Sequence, residues 1–258
     1  MKQAKSIGSR VRLVQDGGRW DIVLSSPDRR NALDLQATGE LRDAVREVAA
    51  HGDDVSVVVL RAEGTNFSVG GDLKEFAAHQ RDATEHLRAT VEPLHEAVML
   101  LASFPCPVVT VAQGAIAGAG IGLAYSGDVV VLADDAVSRL AYTAVGLSPD
   151  GGASYLLPRA LGERLAIDLL LTNRSFTASE ALAWGLASRV VPAAELRAET
   201  DRVVAALLEV SSESLAATKR LAKQSMPLAE QLNAEAESIT NLIATRAAQT
   251  LIQSFGQR

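Results

Sequence analysis

The chain has 258 residues, 48% of them hydrophobic, and a formal net charge of −6, which is enough for one large domain or a core plus an appendage. The acidic balance and the absence of any Lys/Arg-dense run exclude an electrostatic footprint for nucleic acid. A single Cys106 excludes an internal disulfide and every Cys-cluster metal site, and the opening MKQAKSIGSR has no apolar h-region, so a cytoplasmic protein without a metal is expected.

In chain order, "VRLVQDGGRWDIVLSS" reads as two short strands around an Asp-Gly-Gly turn, the mark of a hairpin. "DLQATGELRDAVREVAAH" then has helical spacing of apolar residues, and "VSVVVLRA" is a continuous β-branched strand. An amphipathic helix is predicted over 83–103, followed by a strand over 108–112, a glycine-rich loop, a helix and the apolar strand "DVVVLAD". Strands alternating with helices predict parallel pairing through helical crossovers, hence an α/β fold. From Ala193 onward the residues are helix formers with helical periodicity, and the apolar face of "AEQLNAEAESITNLIATRAAQTLIQSF" is expected to pack on the core or on another subunit.

Residues 97–127 carry no charge, a length that could cross a bilayer, which takes about 20 helical residues. Pro105, Pro107, the β-branched "PVVTVAQ" and five glycines divide the run instead into helix end, strand, loop and second helix. A membrane partner is therefore not expected.

The glycines of "GAIAGAGIGLAYSGD" do not fit a dinucleotide fingerprint: three residues after Gly120 stands Leu123, and three after Gly122 stands Tyr125. What the segment offers is a strand, a glycine turn and a helix start near Ala119 to Gly122, with unpaired backbone N–H groups that a ligand oxygen can approach closely. "GTNFSVGGDLKEF" has the same form, with Gly70-Gly71-Asp72 opening a short helix. Two such junctions are the ingredients of an oxyanion hole, although each taken alone reads first as a turn and a helix cap.

"DRRNALD", "VVVLRAEGTNFSVGGDL", "PCPVVTVAQGAIAGAGIGLAYSGDVVVLADDA", "GLSPDGGASYLLPRALG" and "LTNRSFTASEALAWGLASRVVP" resemble, in order, the signature blocks of the crotonase, or enoyl-CoA hydratase/isomerase, superfamily. The resemblance implies acyl-CoA thioester substrates with no further cofactor, and a ββα-repeat spiral core over 1–192 followed by a C-terminal helical region over 193–258. It also implies trimers or dimers of trimers. Carried over by motif, the oxyanion donors are the N–H groups of Gly71 and Ala119, with Gly118 beside them. The coenzyme A half is assigned to Arg29, Ala32 and the stretch Ser68, Gly70, Asp72 and Leu73.

Hydratases of this family use two glutamates, and their positions fall here on Gly122 and Tyr142. Glycine transfers no proton, and a tyrosine of ordinary pKa near 10 is a poor base at pH 7. The remaining carboxylate is Asp150, between Pro149 and Gly151-Gly152, where double-bond-shifting relatives carry an aspartate; the pattern resembles the epoxyphenylacetyl-CoA isomerase branch. Asp150 is thus expected to be an acid/base of an isomerase, a helix N-cap, or both. Tyr142 is expected to line the acyl pocket, to hydrogen-bond a ligand, or simply to pack. A weak hydratase and a silent acyl-CoA binder are the competing readings. His51, His79, His86 and His95 are expected to be solvated, and the terminal "SFGQR" lacks the acidic-glycine step usual in the family.

Overall fold

The computed structural model describes residues 3–79, 81–224, 227–243 and 245–246. The N-terminal hairpin forms as expected from β2 (Val11–Asp16) and β3 (Arg19–Leu24), joined at Gly17, whose φ of +59° suits the tight turn. A further strand, β1 (Gln3–Ser6), adds to it. Its polar sequence, QAKS, carries no apolar alternation from which a strand could be read.

Asp34 accepts from Ala37 N and starts α1 (Leu35–Ala50), which runs into the strand β4 (Val57–Ala62). The short α2 (Leu73–Ala78) and the long α3 (Ala83–Ser103) lead to β5 (Val108–Ala112), then β6 (Ala115–Ala117), α4 (Ala119–Ala124) and β7 (Val129–Ala133). The uncharged run is divided as the prolines and glycines require, and no helix among the described residues is long and apolar enough to cross a membrane. Beyond it come β8 (Val137–Arg139), α5 (Ala153–Leu161), α6 (Glu163–Thr172), β9 (Phe176–Thr177), α7 (Ala178–Ala183) and β10 (Arg189–Val191). Among the described residues there follow α8 (Leu196–Leu208), α9 (Ser212–Lys223) and α10 (Leu228–Ile243). "SFGQR" lies outside the described residues.

The main sheet has the order β1-β2-β3-β4-β5-β7-β10, antiparallel across β1 to β3 and parallel thereafter. On one face Leu41, Val45 and Val48 of α1 and Leu94, Ala97 and Leu101 of α3 close the main core. On the other, Val57, Val59, Val109, Val111, Val131 and Ala133 lie under Leu196, Val203 and Val204 of α8. Burial on both faces is why these strands read as unbroken β-branched runs rather than as alternation. Each fully buried side chain of this kind contributes about 1.5–3 kcal/mol of transfer free energy.

The register of the parallel pair decides where function sits. β4 and β5 pair with Arg61 opposite Val111, so both strands end at the same edge and their following loops emerge side by side. A second, three-stranded sheet, β6-β8-β9, carries the chain from that edge to residues 140–142.

Candidate active site

The two glycine junctions meet because the segment before the first pairs with β6. Ser68 N donates to Ala115 O (3.2 Å) and Ala117 N to Ser68 O (2.9 Å), while Phe67 N bonds Gln113 O (2.8 Å). Gly70 is pressed against the other loop: at its φ of +80° a Cβ would stand 2.6 Å from Ala117 O and 3.2 Å from Ala119 N. Gly118 has φ +50° and ψ −128°, a conformation open essentially to glycine alone, and its N–H is held by Arg139 O (3.1 Å). The N–H groups that come next, of Gly71 and Ala119, have no acceptor among the described residues, and both line one cavity. Their helices, α2 and α4, have six residues each, so the free N–H groups matter here more than any macrodipole.

That cavity has a volume of about 580 Å³, within the usual range for a small-molecule site. Its walls are mainly apolar, with Leu73 and Phe76 from α2, Leu87 and Val91 from α3, and Leu140 and Leu147 from the segment after β8, and Arg88 and Arg139 also line it. Asp150 is the sole carboxylate among its lining residues.

Asp150 does not cap α5. The helix starts at Ala153 with Gly152 as N-cap and no side-chain bond, because Gly151 and Gly152, at φ +58° and +85°, turn the chain before the helix begins. The cap role expected from the sequence is therefore corrected. Its carboxylate Oδ1 accepts instead from the hydroxyl of Tyr142 at 2.6 Å. Burial first, and then the charge of Asp150, push the Tyr142 hydroxyl well above the usual tyrosine value, so it is a permanent donor in this pair. Oδ2 has no partner among the described residues, which leaves it available as a proton acceptor.

The 150–152 loop also explains Gly122. A Cβ there would overlap the carbonyl oxygen of Gly151, so the loop that carries Asp150 fills the space a longer side chain would need. On its other side Gly151 N donates to His95 Nε2 at 3.3 Å. His95 is thus engaged. His86, also expected to be solvated, is buried with its ring stacked on His79 at 3.8 Å and Nε2 3.3 Å from Glu75 Oε1. His51 packs on Trp20 with its Nδ1 2.8 Å from Glu47 O. Helix α3 turns the His86 face inward because α2 folds over it, which periodicity could not show. Among the described residues no group of three His, Cys, Asp or Glu could hold a metal ion.

Of the residues assigned from sequence, Gly71, Leu73, Gly118, Ala119, Tyr142 and Asp150 line the cavity together. Arg29, Ala32, Ser68, Gly70 and Asp72 stand behind or beside it. Ser68 is fully buried, with its Oγ donating to Asn31 O (2.8 Å) and accepting from Gly70 N (3.1 Å). Asp72 caps α2, and Arg29 bonds Asp72. Sequence reasoning missed Asn31, which takes φ +53°, accepts from Ser26 N, and donates to Glu63 O and Asn66 O, each at 2.9 Å. The available signal was its type, since Asn is among the few residues that tolerate a left-handed turn.

A mixed sheet whose loops bring two backbone donors and one carboxylate over an apolar cavity is the architecture of a class of acyl-thioester enzymes. Residues 17–258 match the family model described as enoyl-CoA hydratase/isomerase. The trans-2-decenoyl-[acyl-carrier-protein] isomerase of Streptococcus mutans serotype c is 33% identical over 211 residues, 81% of this chain and 80% of that protein. The 4-chlorobenzoyl coenzyme A dehalogenase-2 of an Arthrobacter species is 31% identical over 183 residues, 70% of this chain and 66% of that protein. A Thermobifida fusca YX crystal structure in complex with acetoacetyl-CoA superposes with a TM-score of 0.84 at 32% identity, covering 92% of this chain and 95% of that one. The chain belongs to the enoyl-CoA hydratase/isomerase family and has the crotonase fold.

Proposed function

We propose that this protein is an acyl-CoA isomerase in which Asp150 removes a proton from one carbon of an unsaturated acyl thioester and returns it to another. The N–H groups of Gly71 and Ala119 would hold the thioester oxygen as the dienolate forms, each contributing about 2.7–4 kcal/mol to the transition state. The observation that carries this reading is the state of Asp150: the sole carboxylate lining the cavity among the described residues, with one oxygen bonded by Tyr142 and the other without a partner among them. A single carboxylate suits a proton shuttle, whereas hydration by the family's two-glutamate route needs a second one. The Gly151 carbonyl against Gly122 supports the same choice, because it leaves no room for that second group. The isomerase from Streptococcus mutans is a relative of matching reaction type.

The test is a comparison of two substrates. With a β,γ-unsaturated acyl-CoA the enzyme should form the α,β isomer, and with crotonyl-CoA hydration should be slower by about 10²-fold or more, the usual weight of one missing acid/base group. Comparable rates would overturn the reading. Copies of the chain are proposed to associate as trimers or dimers of trimers, which the exposed Leu228, Leu232, Ile239 and Ile243 along α10 support. Sedimentation of the full chain as a stable monomer would contradict that.

A second reading is favoured by one feature, the His95 ring bonded next to Asp150, together with the dehalogenase relatives. In it the open Asp150 oxygen adds to the ring carbon of a halogenated aroyl-CoA, chloride leaves, and water hydrolyses the resulting ester to a hydroxyaroyl-CoA. Chloride release from 4-chlorobenzoyl-CoA distinguishes it, since an isomerase releases none.

A further inference from the structure

We infer that Arg88 reads the far end of the acyl group and that the substrate is a thioester whose chain ends in a carboxylate, an inference that rests on the cavity being the acyl-thioester site. Two arginines, Arg88 and Arg139, stand in its mainly apolar wall. Arg139 is tied down, since its Nε donates to Asn173 O at 3.1 Å and its carbonyl holds Gly118 N. The Arg88 side chain has no hydrogen bond or ion pair among the described residues, although Glu85 and Glu92 lie three and four positions away on its own helix. Neither of those glutamates lines the cavity, and Arg88 does.

Other arginines of this acidic chain differ from it in one of two ways. Arg10, Arg12, Arg19 and Arg61 each meet an aspartate or a glutamate. Arg30, Arg81 and Arg164 have no ion pair among the described residues, but they do not line the cavity. Arg88 alone among the described residues combines an unpaired guanidinium with a place in that wall.

Helix α3 sets where this cation stands. His95 accepts from Gly151 N, next to Asp150, and Arg88 precedes His95 by seven residues, which is two turns or about 10 Å along the helix and nearly the same side of it. Helical side chains tilt towards the N-terminus, which carries the guanidinium farther from the reacting end. Between the two, Leu87, Val91 and Leu94 line the cavity, and the hydroxyl of Thr90 is bonded to His86 O at 2.9 Å. On the facing side the Phe76 ring lies against Gly71, where a Cβ would come 2.8 Å from it, and edge-on to His86 at 6.1 Å. A chain running from the donors along α3 therefore meets apolar side chains and then a positive charge. A methyl end gains nothing from that charge. A carboxylate end left against leucine and valine would be costly without a partner, and a guanidinium can bind both of its oxygens.

Saturated thioesters test this without turnover. Adipoyl-CoA or suberoyl-CoA, whichever end reaches Arg88, should bind about tenfold more tightly than hexanoyl-CoA or octanoyl-CoA of the same length, a modest factor because Arg88 is exposed. Equal affinities at both lengths, or tighter binding of the methyl-ended chains, would overturn the inference. Arg88→Leu should abolish the diacid preference, and Arg88→Glu should reverse it by charge repulsion. Because the side chain makes no bond within the protein, both variants should keep the wild-type Tm. N-acetylcysteamine thioesters, which have no phosphate, should show the same diacid preference and the same loss of it. If Arg88→Leu instead weakens hexanoyl-CoA as much as adipoyl-CoA and changes neither N-acetylcysteamine thioester, Arg88 is a phosphate ligand and the inference fails. Turnover is read separately, on a β,γ-unsaturated diacid thioester and its methyl-ended analogue. A diacid preference in binding with no double-bond shift in either would refute the proposed reaction and leave the role of Arg88 standing; isomerisation with no diacid preference would do the opposite.

Discussion

The two junctions that end in the free backbone N–H groups have the same sequence form and are held in different ways. At the second, all six residues of α4 are buried, and the loop before it is bonded backbone to backbone through Gly118 N to Arg139 O. At the first, no residue of α2 is fully buried, and the loop adds side-chain bonds, Ser68 to Asn31 and Asp72 to Arg29, to its backbone bonds at Ser68, Val69 and Gly70. The difference teaches that an unpaired donor needs its neighbours fixed, by core packing where a helix lies inside and by hydrogen-bonded polar groups where it lies at the surface. Packing tolerates small local changes and rejects volume; a polar brace tolerates volume and fails when one partner is lost.

The largest effect should come from adding volume behind the packed junction. Gly122→Glu forces a Cβ into the Gly151 carbonyl and buries a carboxylate, so it should lower stability by roughly 3 kcal/mol or more, read from the urea midpoint, and disturb Asp150 without creating hydration. Near-normal stability with new hydratase activity would show that the 150–152 loop yields, and that this junction is not rigid.

Asp150→Asn comes next. The amide oxygen can still accept from Tyr142, and Asp150 caps no helix, so stability should change by no more than about 1 kcal/mol while turnover falls by about 10²-fold or more. Deuterium exchange at the acidic carbon of the substrate should fall in parallel. Retained exchange would mean that the base lies elsewhere in the cavity.

A smaller effect is expected at high pH. The buried Tyr142 hydroxyl holds its proton more tightly in the folded protein than in the unfolded chain, where it titrates near 10. Its contribution is complete below about pH 10 and is lost above, because the unfolded state releases the proton first. Tyr125, also pushed up by burial, acts in the same direction. Tyr142→Phe should therefore reduce the alkaline slope of stability by up to about 1.4 kcal/mol per pH unit, measured by urea unfolding across that range. An unchanged slope would remove the basis for treating Tyr142 as a fixed donor.

The smallest effect should be at Ala119→Gly. It keeps the N–H and the surrounding packing, so it should cost about 0.5–1 kcal/mol of stability through backbone entropy and leave turnover within about threefold. A loss of about tenfold or more would mean that burial alone does not hold this donor, and the contrast between the junctions would fail.

The sequence by itself determined the apolar strands of the main sheet, the long helices and the location of both junctions, but not β1 or the short strands of the second sheet. β-Branched runs, helical periodicity and glycines at forced turns act over a few residues, so α3 and β5 appear where their pattern places them. The signature blocks, read in order, also carried the family. Partner choice was decided only by the tertiary structure. Tyr142 reaches Asp150 across a turn of eight residues, Arg29 meets Asp72 43 positions away, and Gly151 meets His95 56 away. Asp150 looked like a cap because Asp near a helix start usually is one; two left-handed glycines carried the helix start past it. The histidines looked solvated because an amphipathic pattern marks a face without saying what covers it. Local torsional preference is written in neighbouring residues, whereas a side chain's final partner depends on which surfaces the whole chain brings within hydrogen-bond distance.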